Sequence, residues 1–345
     1  MGFFAGVDLG KRKSQIQVID QDRKVVESVK IDNSPKAFLR VFAKYKGDVD
    51  VVCEASSNAF WLVDLLEPAV RSIQVGHTSK IRWIAEARIK TDKLDAGILA
   101  ELRRADLFPA ISVPPRRIRD LRELVRGQIR MRRQAVRCRN QVHGLLCRQG
   151  IAYKRSEMSG SKLGELVGEA GLPLPARLAA ESILRAEKAM ADEVRQLQAA
   201  IKKELKGDPE LLSLVSLLET IPGVGFFSAM LFVVELWDIK RFRDGAHLAS
   251  YVGFVPGTHQ TGQTMWHGRM TRQGNVLVRW VLVQDAWAAA FNNPFFGRRY
   301  EYYKAKKGNA RAIVPVARAL LDTIHRVWTE RKTYSEVYDK KTSAG

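Results

Sequence analysis

The chain has 345 residues, 46% hydrophobic and 27% charged, which supplies apolar material for two or three domains and excludes a disordered tail. A formal charge of +20 excludes neutral metabolites as the sole partners, because that much unbalanced cationic charge repels itself and calls for a polyanion. No run reaches the length of a membrane span, MGFFAGVDLGKRK turns polar too early for a secretory signal, and Cys53, Cys138 and Cys147 lack disulfide or zinc spacing. The expectation is a cytoplasmic protein with no membrane partner and reduced, structural thiols.

From Phe3 the sequence alternates through FFAGVDLG, turns at KRK, and returns through SQIQVID and VVESVKID, which predicts an antiparallel three-strand meander. SPKAFLRVFAKYKG has helical spacing, with Ser34 as N-cap and Pro35 at the first helical position. VDVVCEASS reads as a buried strand, NAFWLVDLLEPAV as its helix, and SIQVGHTS as a fifth strand. A meander followed by alternating helices and strands predicts an α/β sheet of RNase H type over residues 1–110. The proline-punctuated stretch FPAISVPPRR reads as the exit from that domain.

Residues 111–206 read as a helical, coiled-coil region. Between Arg116 and Arg155 there are 13 Lys or Arg against 2 Asp or Glu. Arg119, Arg122, Arg126, Arg130, Arg133 and Arg137 follow one another at steps of three or four, which places six guanidinium groups along one helix face. Ile118, Leu121, Val125, Ile129 and Val136 form an apolar stripe beside them. A solvated surface is the ordinary explanation of such a face, but the near absence of acidic balance favours contact with a phosphate backbone. The second long helix, LPARLAAESILRAEKAMADEVRQLQAAIKKEL, is amphipathic and suits bundle or intersubunit packing.

Residues 207–345 read as a mainly helical third domain. In LLETIPGVGFFSAMLFVVE, a turn at Pro222 to Gly225 joins two helices. Backbone N–H groups at Gly223 and Gly225 beside a helix N-terminus offer a phosphate site of helix-hairpin-helix kind, with a plain helix connection as the equal alternative.

Four carboxylates carry the chemistry. Asp8 lies in the first strand, where a lone charge is costly unless it faces a cleft or meets a metal, and Glu54 ends the apolar VDVVCE strand. Asp92 and Asp95, three apart in KTDKLDAGILAEL, share a helix face, although each alone also suits helix capping. An Asp, Glu, Asp, Asp set in one α/β domain is what two magnesium or manganese ions need for phosphodiester chemistry.

With GVDLGKRK, CEASSNAFW, RIKTDKLDAGILAEL, ETIPGVG, LASYVGFVPGTHQTGQTMWHGRMTRQGNVLVRW and KKGNARAIVPVARALL in hand, the chain resembles the DEDD transposases of bacterial insertion sequences, the insertion-sequence-110 type. Relatives of that family include the Piv DNA invertase and bridge-RNA-guided recombinases. The resemblance covers nearly the whole chain. It implies a RuvC-like N-terminal domain whose four carboxylates match Asp8, Glu54, Asp92 and Asp95. It further implies DNA cleavage and rejoining, Mg2+ or Mn2+ as cofactor, donor and target DNA, a structured guide RNA, and assembly as a dimer or tetramer. In the family a serine in a segment of the form GLxPxxxxSG attacks DNA. Aligning Gly253 to Pro256 with that segment places Thr261, before Gly262, at the serine position. Threonine offers the same hydroxyl with a methyl that crowds in-line attack. Ser250, in LASYVG, is the other nearby candidate. The surrounding segment, with His259, His267, Arg269, Arg272 and Arg279, reads as a polar cationic loop in which the histidines lack metal-ligand spacing. Two other classes fit the residues: a metal-dependent junction-resolving nuclease that uses the carboxylates without Thr261, and a non-catalytic nucleic-acid-binding protein.

Overall fold

The computed structural model describes residues 2–86, 96–154, 161–261, 264–270 and 274–338, with backbone only at 85–86, 161, 256–261 and 264–270. The chain packs as two units, Met1–Arg116 and Arg117–Gly345.

The first unit is a mixed six-stranded sheet with helices. Strands β1 (Phe3–Leu9), β2 (Lys13–Ile19) and β3 (Val25–Asp32) form the expected antiparallel meander. Helix α1 (Pro35–Phe42) starts where Ser34 Oγ accepts the Ala37 N–H, with Pro35 in the first turn. Strand β4 (Val49–Glu54) pairs parallel with β1, and after α2 (Ala59–Leu66), β5 (Ser72–Gly76) pairs parallel with β4. Helices α3 (Thr78–Glu86) and α4 (Ala96–Arg104) follow. Ala110–Ile111, expected as part of a domain exit, instead forms β6, which pairs antiparallel with β5 and completes the order β3-β2-β1-β4-β5-β6.

Strand β4 is buried on both faces, which its near-continuous apolar run requires. On one face Val51 and Cys53 join Phe38, Phe42, Leu62 and Leu66 of α1 and α2; on the other Val52 meets Ile81, Leu99 and Leu102. Removing each such side chain from water contributes about 2 kcal/mol. Helix α4 approaches β1 so closely that a Cβ on Gly6 would lie 1.9 Å from the Ala96 carbonyl oxygen, which leaves glycine as the residue that fits. The single buried charge of β4, Asp50, is neutralised by Arg71 at 3.6 Å, Arg103 at 3.5 Å and the Ser72 hydroxyl.

Among its described residues the second unit is helical apart from one hairpin. Helices α5 (Arg116–Arg148) and α7 (Leu174–Lys206) run antiparallel: Arg117 meets Glu204, Arg139 meets Glu187 at 3.2 Å, and Val142 and Leu146 cluster with Ala180. Helix α6 (Ser161–Glu169) closes the far end through Leu163 and Val167. Ile118, Leu121, Val125 and Ile129 of the predicted apolar stripe are buried, whereas Val136 is 43% exposed.

Helices α8 (Pro209–Glu219), α9 (Phe226–Leu236), α10 (Gly245–Val252), α11 (Val276–Asn292), α12 (Pro294–Lys307), α13 (Asn309–Glu330) and α14 (Tyr334–Tyr338) share one core with the first half of α5 and the end of α7. The segment after Val255, expected as a loop, is a hairpin of β7 (Pro256–Thr261) and β8 (Thr264–Met270). Among the described residues no helix is long and apolar enough to cross a membrane.

Candidate catalytic and nucleic-acid-binding residues

Val7 of β1 stands opposite Cys53 of β4 in the parallel register, so the next residues, Asp8 and Glu54, stand level on neighbouring strands and on the same face of the sheet. Strand spacing sets their backbones about 4.8 Å apart. Asp8, expected as a buried strand charge, is exposed near the strand's end, and Glu54 is half-buried. Among the described residues no cation lies within ion-pair distance of either, in contrast to Asp50 at the other end of β4. Two adjacent carboxylates without a neutralising cation fit a hard divalent ion. Asp92 and Asp95 lie outside the described residues, and no group of three ligands for a metal ion occurs among the described ones.

The turn beside these carboxylates is fixed by residues whose sequence pattern gave no signal. The Gly10 carbonyl accepts Asn33 Nδ2 at 2.8 Å and Asn58 Nδ2 at 3.2 Å, while the Ser14 hydroxyl holds Asn33 Oδ1 at 2.6 Å. A Cβ on Gly10 would stand 2.3 Å from the Lys13 carbonyl oxygen. Lys11 and Arg12 of this turn are exposed. Burial, with the charge of Glu54 adding to it, pushes the Cys53 thiol up to about 12, so it stays protonated and inert.

In the second unit Thr261 ends β7 opposite Thr264, at the tip of the hairpin; Gly262 and Gln263 between them lie outside the described residues. His259 stands opposite Trp266 and Thr258 opposite His267, and Arg269 lies on β8. Arg272 lies outside the described residues. Ser250 is exposed near the end of α10.

The arginine stripe divides into two parts. Arg126 donates from Nε and Nη2 to Glu235 at 2.8 and 3.0 Å, and Arg122 donates to the Val234 carbonyl at 3.0 and 2.6 Å. Glu235 is 2% exposed. Burial alone would raise its pKa, but Arg126, then Arg122 and Asn275, outweigh it and hold the carboxyl below the usual range. Arg130, Arg133 and Arg137 are exposed, and Arg119 is half-buried. Arg133 stacks over Trp280 at 5.1 Å, and Arg130 makes an exposed ion pair of 3.6 Å with Glu123, a type worth little. Replacing Arg130, Arg133 and Arg137 together is expected to lower nucleic-acid affinity for every sequence and to reduce the slope of log K against log salt by about 0.9 for each phosphate no longer neutralised. An unchanged slope would make this face a solvated one. Replacing Arg126 is a different experiment, since it strands a buried carboxylate and should destabilise the fold.

The turn from Pro222 to Gly225 joins α8 and α9 against α11. Gly223 has φ +85, and a Cβ there would lie 2.4 Å from the Asp285 carbonyl oxygen, so this glycine is required by close packing. Gly225 is exposed at the N-cap of α9, with nothing near its Cβ position. Beneath the turn, Asp285 accepts the Ser228 hydroxyl at 2.7 Å while its Oδ2 is buried without a partner among the described residues. Burial pushes this carboxyl to about 7, against the opposing Ser228 hydrogen bond. The unfolded carboxyl ionises near 4, so the folded unit holds the extra proton between pH 4 and 7; the stability this provides is fully present below pH 4, falls as pH rises across that window and is lost above 7. Asp285→Asn should flatten that fall, a difference of at most ~4 kcal/mol between pH 4 and 8, read as the pH dependence of thermal melting. Parallel melting curves for both proteins would show that the carboxyl is ionised throughout.

Comparison with known proteins gives two family matches that do not overlap. A model for DEDD transposases of IS110 type, described as a transposase, matches residues 5–149, and one described as the transposase IS116/IS110/IS902 family matches residues 215–301. Over 341 residues, 97% of this chain and 84% of the relative, the sequence is 26% identical to a putative transposase, y4qE, of Sinorhizobium fredii. Over 301 residues, 82% of each chain, it is 29% identical to a probable family 20 transposase of Pseudomonas aeruginosa. A pilin gene-inverting protein of Moraxella bovis matches 153 residues at 28% identity, covering 42% of this chain and 46% of that protein.

Proposed function

Because this chain belongs to the family of insertion-sequence transposases of the IS110 type, we propose that it is a DNA recombinase that cuts and rejoins strands with a DEDD carboxylate site and the hydroxyl of Thr261. The observation that carries this reading is the level placement of Asp8 and Glu54 at the ends of adjacent parallel strands, with no described cation to neutralise them. The strand order β3-β2-β1-β4-β5 and its mixed pairing support a RuvC-like, RNase H-type unit. Asp95 is joined directly to Ala96, whose carbonyl packs on Gly6 two residues from Asp8, which supports a single site for Asp8, Glu54, Asp92 and Asp95. Magnesium or manganese held by these residues would polarise the scissile phosphate and favour ionisation of an attacking hydroxyl.

In the reaction, the Thr261 oxygen forms a bond to phosphorus as the bond to one flanking sugar oxygen breaks. The threonine proton leaves, and the departing sugar oxygen takes one up. Attack by a different sugar hydroxyl on the phosphothreonine link restores Thr261 and rejoins the strand, so no external energy source is needed. The exposed cations Arg130, Arg133 and Arg137, with Arg269 and Arg272 of the hairpin segment and the N–H groups near Gly223 and Gly225, suit the phosphate backbone of donor and target DNA. A structured guide RNA would choose the sequences by base pairing while the protein holds the duplexes by shape. Exposed Leu174 and Leu178, 58% and 53% accessible on α7, suit packing between copies of the chain as a dimer or tetramer. The test is to sequence the nucleic acid that copurifies with the protein. A discrete structured RNA with segments complementary to donor and target DNA is expected; protein free of RNA yet able to recombine DNA would overturn the guided reading.

A further inference from the structure

The hairpin that carries Thr261 leaves and re-enters the helical unit through one clamp. On the way out, α10 ends at Gly253 with φ +82, whose N–H reaches the Ser250 carbonyl at 3.1 Å, and the buried Phe254 donates its N–H to the Ala249 carbonyl at 2.8 Å. On the way back Gly274, with φ +123, sits where a Cβ would be 2.2 Å from the Tyr251 carbonyl oxygen and 2.9 Å from the Val252 carbonyl carbon. The Arg279 guanidinium donates to the Val252 carbonyl at 2.6 Å. The two ends of the hairpin segment therefore touch, and only glycine fits at the return point.

The next residue, Asn275, has two roles. Its Oδ1 caps α11 by accepting the N–H groups of Leu277 at 3.0 Å and Val278 at 3.1 Å. Its Nδ2 donates to Glu235 Oε2 at 2.7 Å. Glu235, fully enclosed on α9, is the same carboxylate that takes both nitrogens of Arg126 and lies 3.8 Å from Arg122. A cap needs an acceptor alone, so the amide donor of Asn275 has a separate task, and a buried carboxylate bonded from two directions has a narrow choice of positions.

We propose that Glu235 is a positioning residue, which through Asn275 fixes the base of the Thr261 hairpin against the arginine helix α5. The inference rests on the assignment of Thr261 as nucleophile, and its test separates the two. Asn275→Ser keeps a capping oxygen and loses the amide Nδ2 that reaches Glu235, its hydroxyl being one bond shorter; Asn275→Asp keeps the cap and sets a second carboxylate against Glu235. Adduct formation with DNA should slow about 10- to 100-fold in either variant, because a displacement near 1 Å is enough to cost that much. DNA affinity should stay within about twofold of the unsubstituted protein, since the exposed cations are untouched. Adding Glu235→Gln to Asn275→Ser should slow the reaction no further, since both act through one link.

Hydrogen exchange reads the same link without DNA: amides of residues 256–270 should exchange faster in Asn275→Ser while those of α9 and α11 keep their protection. A folded Asn275→Ser protein with unsubstituted rate and unchanged exchange overturns the proposal. So does a loss of α11 protection in step with the rate, which marks Asn275 as a cap alone. If the unsubstituted protein forms no adduct, the nucleophile assignment fails, and hydrogen exchange still decides whether Glu235 holds the hairpin.

Discussion

Thr261→Ala is expected to abolish the denaturation-resistant protein–DNA adduct, a loss on the order of 10³-fold or more in strand cleavage, because no second hydroxyl stands at the hairpin tip in register with it except Thr264. Thr261→Ser should keep the adduct and form it faster, since serine offers the same oxygen without the methyl that crowds an in-line approach. Residue 261 ends β7 at the hairpin tip, and melting should be unchanged. An undiminished adduct in Thr261→Ala would move the nucleophile elsewhere, with Ser250 on α10 and Thr264 on β8 as the hydroxyls to test next.

The second large effect is at the carboxylates. Asp8→Ala or Glu54→Ala should reduce strand cleavage by on the order of 10³-fold while nucleic-acid affinity changes less than about threefold, because the metal ligands are removed and the cationic surface is not. Asp8 is exposed near the end of β1 and Glu54 is half-buried at the end of β4. The variants should therefore fold, and relief of repulsion between two adjacent carboxylates should leave stability unchanged or slightly higher. EDTA should have the same effect on the unsubstituted protein, reversed by added Mg2+ or Mn2+. Full cleavage in EDTA would remove metal chemistry from the account.

The first unit was legible because its signals are local. Alternation in FFAGVDL and SQIQVI, the Ser34-Pro35 start of α1 and the unbroken apolar run of β4 each specify an element within a few residues, and the parallel pairing that sets Asp8 beside Glu54 follows from the element order. Strand β6 escaped because two residues between prolines carry no periodicity; only pairing with β5 makes them a strand. The β7–β8 hairpin escaped for a related reason: THQTGQTMWHG is rich in glycine and polar residues, and only the pairing of β7 with β8 makes the segment strands.

The arginine helix shows the other limit. Spacing of three and four correctly places Arg122, Arg126 and Arg130 along one side of α5, but nothing local distinguishes those that meet Glu235 from those that face water, since the deciding carboxylate lies more than a hundred residues away in sequence. Glycine at 223, read from the sequence as part of a phosphate site, has a packing cause that the sequence did not show: its positive φ and the close approach of the α11 backbone require it. The raised carboxyl of Asp285 and the amide donor of Asn275 were likewise invisible, because each depends on a helix that packs from a distance.

The nucleophile can be identified by trapping the protein on a DNA substrate with Mg2+, denaturing it, digesting protein and DNA, and locating the modified residue by mass spectrometry. A nucleotide joined through phosphate to Thr261 is the predicted result. Cleaved DNA with free hydrolysed ends and no modified peptide, or a nucleotide joined to Ser250, would contradict it.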